Sequence, residues 1–355
     1  MTIIKRILPH TLTCLLVILT GTFALAQSDL VEYGVYVDST GASSNDDDVT
    51  VNKDETTITV TNAITESDIN GTDAPFAGFV IDGVTGGGGG GITDTSGYIF
   101  NALDGISLSG NTLQPIMGFL YATDSDDSPF AGELNVGTIT VENSGGGGAN
   151  GLLFLNFPGG TAANLSGSII NVGDILLTST GDAAASTSTG FFAGMLANNS
   201  HVTLGMLDDG EGHITAGLIE VISSGSAKAV SAVTIGGIEE GSSLSVGTIN
   251  VELETDTDGQ GTAARGIYIK DQTKDSTGTG TGDVAGDLII NGDITVTATG
   301  NQDAYARGIE IEGSVNNLII KHNVIVTSDE DATIGKDFTS AVYVEKGADS
   351  TITVD

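Results

Sequence analysis

Two arginines are the first residues whose type and spacing could do chemistry. Arg265 and Arg307 stand in matching tetrapeptides, Ala264-Arg265-Gly266-Ile267 and Ala306-Arg307-Gly308-Ile309, and Lys270 follows the first of them. A cation beside carboxylates is what a polysaccharide lyase or hydrolase needs to hold an acidic sugar and move a proton. Carboxylates are everywhere, with 46 Asp and Glu against 11 Lys and Arg, so no acidic pair stands out as a catalytic one. The plainer role for Arg265 and Arg307 is to neutralise local acid, because charge networks of this kind are often structural. Sugar clefts also favour aromatic platforms, and the chain has no Trp. The expectation is therefore a protein without catalysis, with Arg265 and Arg307 as the only catalytic candidates.

Metal and nucleophile chemistry fare no better. His201, His213 and His322 lie in different segments and form no H-x-x-x-H pair, so zinc is not expected. No G-x-S-x-G occurs. Three hard-oxygen clusters could take calcium: Asp46-Asp47-Asp48, Asp124/Asp126/Asp127 and Asp208/Asp209/Glu211. The segment from Asp124 begins like an EF-hand loop, but Pro129 stands where glycine is required and Asn135 where the bidentate Glu belongs. The G-G-x-G-x-D nonapeptide of calcium rolls is missing. Solvated acidic loops are the expected outcome. Calcium, bound diffusely, is the only cofactor entertained, with Asp124, Asp126 and Asp127 as its candidates.

Composition bounds the class. The 355 residues carry a formal net charge of −35, 52 Gly and 5 Pro, yet 39% are hydrophobic and mean hydropathy is +0.16. Such a chain is too apolar for a disordered acidic tail. Phosphates would meet an anionic surface, so nucleic acid is not an expected partner. One Cys cannot pair within the chain. The charge keeps a rod soluble and discourages lateral strand pairing.

The first 26 residues read as a secretory signal peptide. Lys5 and Arg6 form a basic n-region, Leu12 to Leu19 the apolar h-region, and Ala24-Leu25-Ala26 a small-x-small cleavage site before Gln27. Pro9, His10 and several threonines dilute the apolar run below the ~20 residues of a membrane span. Cleavage would remove Lys5, Arg6 and Cys14, leaving residues 27–355 free of cysteine and not integral to a membrane.

The elements that must position any site form a repeat. An I-x-V pair recurs as Ile58/Val60, Ile106/Leu108, Ile139/Val141, Ile175/Leu177, Ile219/Val221, Ile249/Val251, Ile294/Val296, Val324/Val326 and Ile352/Val354. The closest spacings give a unit of about 30 residues, with insertions making up the rest. Gly137, Gly173, Gly217, Gly247 and Gly292 each precede a pair by two residues. A second element lies before each pair, as in Leu134-Asn135-Val136 and Leu288-Ile289-Ile290, and a third further upstream, as in Gly78-Phe79-Val80-Ile81 and Gly266-Ile267-Tyr268-Ile269. All are short, β-branched or aromatic, and bounded by Gly, Asn or Asp, which is strand grammar. Three strands per unit with glycine corners predict an all-β fold, a right-handed parallel β-helix (β-solenoid) of about nine coils. At the sheet spacing, that is a rod of roughly 40 Å. Residues 252–263, 271–286 and 297–305 read as loops leaving its edges, and Gly86–Gly91 and Gly145–Gly148 as padding. A β-sandwich is the runner-up, but coil-length self-similarity argues against it.

A signal peptide followed by G-D-I-T-V and A-R-G-I repeats with Asp/Gly/Thr-rich loops resembles the passenger region of bacterial autotransporters. The resemblance covers Gln27 to Asp355 in its repeat grammar. It implies a right-handed β-helix displayed at, or released from, a Gram-negative cell surface, and a C-terminal barrel as outer-membrane translocator. No barrel-like run follows here, and the chain stops at Thr351-Ile352-Thr353-Val354-Asp355 inside a recognisable unit, as a passenger truncated at its C-terminus would. The functional expectation is an exported, noncatalytic adhesin, spacer or display stalk with an unassigned surface or matrix ligand. Its location would be the cell surface or medium, or the periplasm if no translocator exists. The alternative is a β-helical polysaccharide lyase or hydrolase using the Arg265/Arg307 face.

Overall fold

A computed structural model of the protein describes residues 31–45, 48–70, 74–84, 91–124, 128–156, 160–181, 187–208, 214–225, 229–255, 263–274, 276–300, 304–328, 339–345 and 352–354. The signal-peptide reading, and with it Cys14, lies outside these residues. The described residues are all-β and solenoid-like, built from parallel strands that stack in register along three walls.

Each pass of the chain lays one strand on each wall. The first wall takes Glu32–Val37, Phe76–Gly83, Ile116–Thr123, Ala149–Asn156, Thr187–Ala197, Ala229–Ile238, Ala263–Ile269, Tyr305–Ile311 and Ser340–Val344. The second wall takes short strands such as Ile99–Ala102, Glu133–Val136, Ile169–Val172 and His201–Leu204, and joins the first in a 22-stranded sheet. The third wall is a separate eight-stranded sheet that runs from Ile64–Asn70 to Val324–Ser328. The I-x-V pairs stack there as expected. Val251 sits opposite Val296, and Val296 opposite Val326, in one column. Ile139, Ile175, Ile219, Ile249 and Ile294 form the neighbouring column, all shut off from water. Strand side chains alternate, so both columns face inward while Thr140, Thr295 and Thr297 face out.

Two of the nine pairs do not belong to this wall. Thr57–Thr61, with Ile58, runs beside Ile99–Ala102 on the second wall and is flanked on its other side by the antiparallel strand Thr50–Asp54. Ile64 takes the first position on the third wall instead, opposite Ile106. Ile352–Val354 likewise pairs with Leu318–Ile320 on the second wall. An apolar-x-apolar triplet reads the same on every wall, because each has the same period of two. The supposed loops also shrink. Strands extend through Thr255 and Thr299, and others begin at Ala263, Val284 and Tyr305. Residues 271–274 and 276–283 do not leave the edge. They fold back across earlier turns, where the Gln272 Nε2 donates to the Ala193 carbonyl at 3.1 Å and the Ala162 N–H to the Thr277 carbonyl at 2.7 Å.

The narrow cross-section explains a second column that the repeat reading places at strand boundaries. Gly78, Gly118, Gly151, Gly190, Gly266 and Gly308 lie inside first-wall strands and face the core. A Cβ on Gly78 would come within 2.7 Å of Ile106 Cγ2, on Gly118 within 2.5 Å of Ile139 Cγ2, and on Gly266 within 2.9 Å of Ile294 Cγ2. Each glycine thus makes room for the β-branched residue that opens the third-wall strand of its own turn. The run Gly145–Gly148 is not padding either. It is a tight corner in which a Cβ on Gly147 would meet the Gln114 carbonyl oxygen at 2.1 Å, and Asn143 caps it by accepting from the Gly145 and Thr112 N–H groups. Of Gly86–Gly91 only Gly91 is described, and its Cβ would meet the Val84 nitrogen at 2.3 Å. Between the walls, Phe79, Phe119, Phe154 and Phe191 form a file with ring centroids 5.4 to 5.7 Å apart.

Substituting Gly151→Val should therefore lower stability by at least ~1–3 kcal/mol, the usual cost of overpacking, because the new side chain meets the Gly190 carbonyl oxygen and Ile175. Gly41→Ala, where nothing lies within 4 Å, should stay within about 0.5 kcal/mol. Denaturant midpoints for both variants check the pair.

Candidate functional site

The strands Ala263–Ile269 and Tyr305–Ile311 pair in parallel with Arg265 opposite Arg307. Ile267 and Ile309 face the core, while both arginines and the residue three positions later, Tyr268 or Glu310, face outward. The next strand adds Tyr343 opposite Glu310. Register alone thus brings the two candidates side by side and places a carboxylate in line between two tyrosines.

The guanidinium groups are fully engaged with this chain. Arg265 Nε donates to Glu310 Oε2 at 2.6 Å, and Arg307 donates to the other oxygen of the same carboxylate. Arg265 also donates to the Tyr305 hydroxyl. The planar cations stack between rings. Arg265 lies 4.4 Å from the centroid of Tyr268 and 5.3 Å from that of Tyr305, and Arg307 lies 5.0 Å from Tyr305 and 4.2 Å from Tyr343. The side chains of Arg265, Arg307 and Glu310 are only 15%, 8% and 6% exposed. Around them, the Tyr268 hydroxyl donates to Glu312 at 2.6 Å, and Lys274 bridges Glu345 at 2.8 Å and Glu312 at 3.6 Å.

Burial by itself would lower the Arg265 pKa, but Tyr305, Glu310 and Tyr268 outweigh it and raise the value above the ordinary one. A general base must give up its proton near the working pH. Arg265 is held as a cation more firmly than a free arginine, and each arginine gives one donor to Glu310. The arrangement is a strut across successive turns rather than a proton-transfer device.

The other candidates stay apart. Lys270 Nζ donates to the Thr277 hydroxyl at 3.4 Å. His201 lies beside Ser243 at 2.9 Å, and His213 lies outside the described residues. Of the calcium candidates Asp124 is described, whereas Asp126 and Asp127 lie outside, as do Asp46, Asp47, Asp209 and Glu211. Among the described residues no group of three His, Cys, Asp or Glu side chains is placed to hold a metal ion. Asp124 lies in the surroundings of Asp82, whose carboxylate accepts from the Tyr36 hydroxyl and, at 2.9 Å, from the Val84 N–H. Burial raises the Asp82 pKa, against the lowering effect of those two donors.

Compared with protein-family models, with curated proteins and with solved structures, the chain matches none of them.

Sequence reasoning found the two arginines but missed Glu310, Tyr268, Tyr305 and Tyr343. A signal existed: Arg-Gly-Ile is followed by Tyr at 268 and by Glu at 310, one position of the repeat carrying a ring in one turn and an acid in the next. Removing that acid leaves two buried cations without their shared partner, so Glu310→Ala should cost about 3–5 kcal/mol in chemical denaturation, whereas Lys274→Ala at the exposed rim should cost under about 1 kcal/mol. The tyrosines give a pH test. Burial is the largest cause pushing the pKa values of Tyr36, Tyr121 and Tyr268 up; nearby carboxylates add to it, while Thr123 at Tyr121 and the Arg265 cation at Tyr268 oppose it. The unfolded chain loses these protons near about pH 10 while the fold keeps them. Their stabilising contribution is whole below that pH and declines as pH rises further. Phenolate absorbance should show at least three of the 7 tyrosines ionising only together with loss of the β circular-dichroism signal, and one fewer in Tyr268→Phe.

Proposed function

We propose that this chain is an exported, noncatalytic β-helical protein of the autotransporter-passenger type, acting as an adhesin, spacer or display stalk. Residues 1–26 serve as its signal peptide. The remainder winds as a right-handed helix of about nine coils, the hand that parallel crossovers take almost without exception. Its site of action is the cell surface or the medium, with an outer-membrane translocator as partner, or the periplasm where none acts. The observation that carries the reading is the continuous column from Ile64 to Val324 on the third wall, part of a stacked body whose outward Arg265/Arg307 pair is engaged in internal struts. A rod of this kind offers length and loops rather than a cleft.

The test is made on protein recovered from the periplasm and medium of a Gram-negative host expressing the full chain. Export should yield a species beginning at Gln27. That species should release no unsaturated or reducing sugar ends from acidic polysaccharides, with or without calcium. Products that disappear in Arg307→Ala would instead make it a carbohydrate-active enzyme, and an uncut, cytoplasmic chain would defeat the export reading.

A further inference from the structure

The outward side of the first wall changes character along the rod. In the last turns it carries the arginine and tyrosine strut. In the early turns it is apolar, because Val80, Leu120, Leu153 and Phe192 follow one another in register and form a hydrophobic cluster separate from the core. This strip ends at a break in the ladder. The strands Ala149–Asn156 and Thr187–Ala197 pair directly at Leu152 with Phe191 and at Leu153 with Phe192, and no further. Beyond those rows the stretch 161–166 wedges between them. The Ala163 N–H donates to the Phe154 carbonyl at 2.9 Å, the Gly194 N–H to the Ala163 carbonyl at 2.8 Å, and the Met195 N–H to Asn164 Oδ1 at 2.9 Å. Leu165 then stands opposite Leu196.

We infer that residues 271–274 and 276–283 form a releasable latch that seals this break. They follow the strand Ala263–Ile269 and reach back past Ala229–Ile238 to the wedge. The Ala162 N–H donates to the Thr277 carbonyl at 2.7 Å, Asn164 Nδ2 to Thr279 Oγ1 at 3.1 Å, and Gln272 Nε2 to the Ala193 carbonyl at 3.1 Å. The contacts thus fall on the wedge and on the strand beyond it. The latch is closed on itself and can move as one body. Asp271 bridges Thr281, the Gln272 N–H donates to the Gly280 carbonyl at 2.8 Å, and the Thr277 N–H to the Gln272 carbonyl at 3.0 Å, which makes a compact Ω-loop. Gly282, at φ 76°, turns the chain out of it. It rests on the wall at a glycine: a Cβ on Gly236 would meet Gln272 Oε1 at 2.6 Å and Gly280 Cα at 2.9 Å. Closure carries a cost. Gln272 is fully buried, and its Oε1 has no hydrogen-bond partner among the described residues, so closing takes an acceptor from water without replacing the bond. At the outer end, Lys274 meets Glu345 at 2.8 Å through exposed side chains, a pair that salt screens. The latch therefore has its own reasons to open, and opening gives the Ala162 N–H and the Ala193 carbonyl to water while the stacked core stays closed.

Native-state hydrogen exchange on the full chain tests this, because it resolves local openings from global ones. In the wild type, the amides of Gln272, Thr277, Gly282 and Ala162 should exchange through one shared opening. Their rate should be at least about tenfold above that of the Ile249 and Ile294 amides, which are bonded within the third wall's corner contacts. Gly236→Val lifts the latch selectively, since the nearest neighbours of a side chain there are Gln272 and Gly280. It should speed exchange at 272, 277, 282 and 162 by roughly another tenfold or more and leave Ile249 and Ile294 unchanged. Ala162 exchanging at the third-wall rate in the wild type overturns the proposal. So does a variant in which 272 and 277 speed up while Ala162 does not, because the break is then sealed without the latch. A Gly236→Val chain that fails to fold, or in which the third wall speeds up equally, also overturns it, since the segment would then be part of the stack and not a releasable piece.

Discussion

The structure depends on one close approach: the glycine column of the first wall against the β-branched column of the third. A body three strands around has almost no interior, so a single extra carbon matters. Where Gly308 faces Val324, a Cβ would stand 2.3 Å from Cγ1, and where Gly34 faces Ile64 the gap would be 2.9 Å. None of these first-wall glycines needs a left-handed backbone. They are demanded by space alone. Ala232 fills the equivalent place in one turn and is fully buried, which shows that the column tolerates a methyl where its neighbours adjust. Tight opposition of small against branched is what lets each inward side chain stack on its counterpart in the next turn and lose all contact with water. One turn alone could not do this, and stability therefore belongs to the stack.

Much of this could be read from residue order, and the failures have a common cause. The third-wall columns follow from an alternation of period two, and the corner glycines before them, Gly137, Gly173, Gly247 and Gly292, lie between second-wall and third-wall strands as expected. Ile58/Val60 and Ile352/Val354 went astray because alternation identifies a strand and not the wall it lies on. Which wall a strand joins is settled by its partners, and at the first end by an antiparallel cap, Thr50–Asp54, that breaks the repeat. The glycines at 78, 118 and 151 look like boundaries in the sequence because glycine usually ends strands. Their reason lies 21 to 28 residues away, in the isoleucine opposite.

The outward chemistry was less legible still. Arg265 and Arg307 are recognisable as equivalent, but their role is set by residues brought together across three strands. Glu310 comes from the later of the two arginine strands, Tyr305 from its start, and Tyr343 from the strand beyond. In another register the same arginines could have met water or a ligand. Their burial between rings, with one carboxylate answering both, turns two free-looking cations into a fastening. Buried ion pairs add little net stability over apolar substitutes but are costly to break. The cluster therefore acts as a condition on the register of the last turns more than as a source of strength.

Set beside the apolar strip of the first turns, the strut gives the first wall two distinct halves. Both halves bury outward-facing side chains, one with hydrocarbon and one with paired charge and rings. The second is complete within its own strands, since Glu310 and the tyrosines arise beside the arginines they serve. An acidic rod gains from such a division. Its net charge of −35 opposes lateral association, while both devices bury outward side chains without adding to that negative charge.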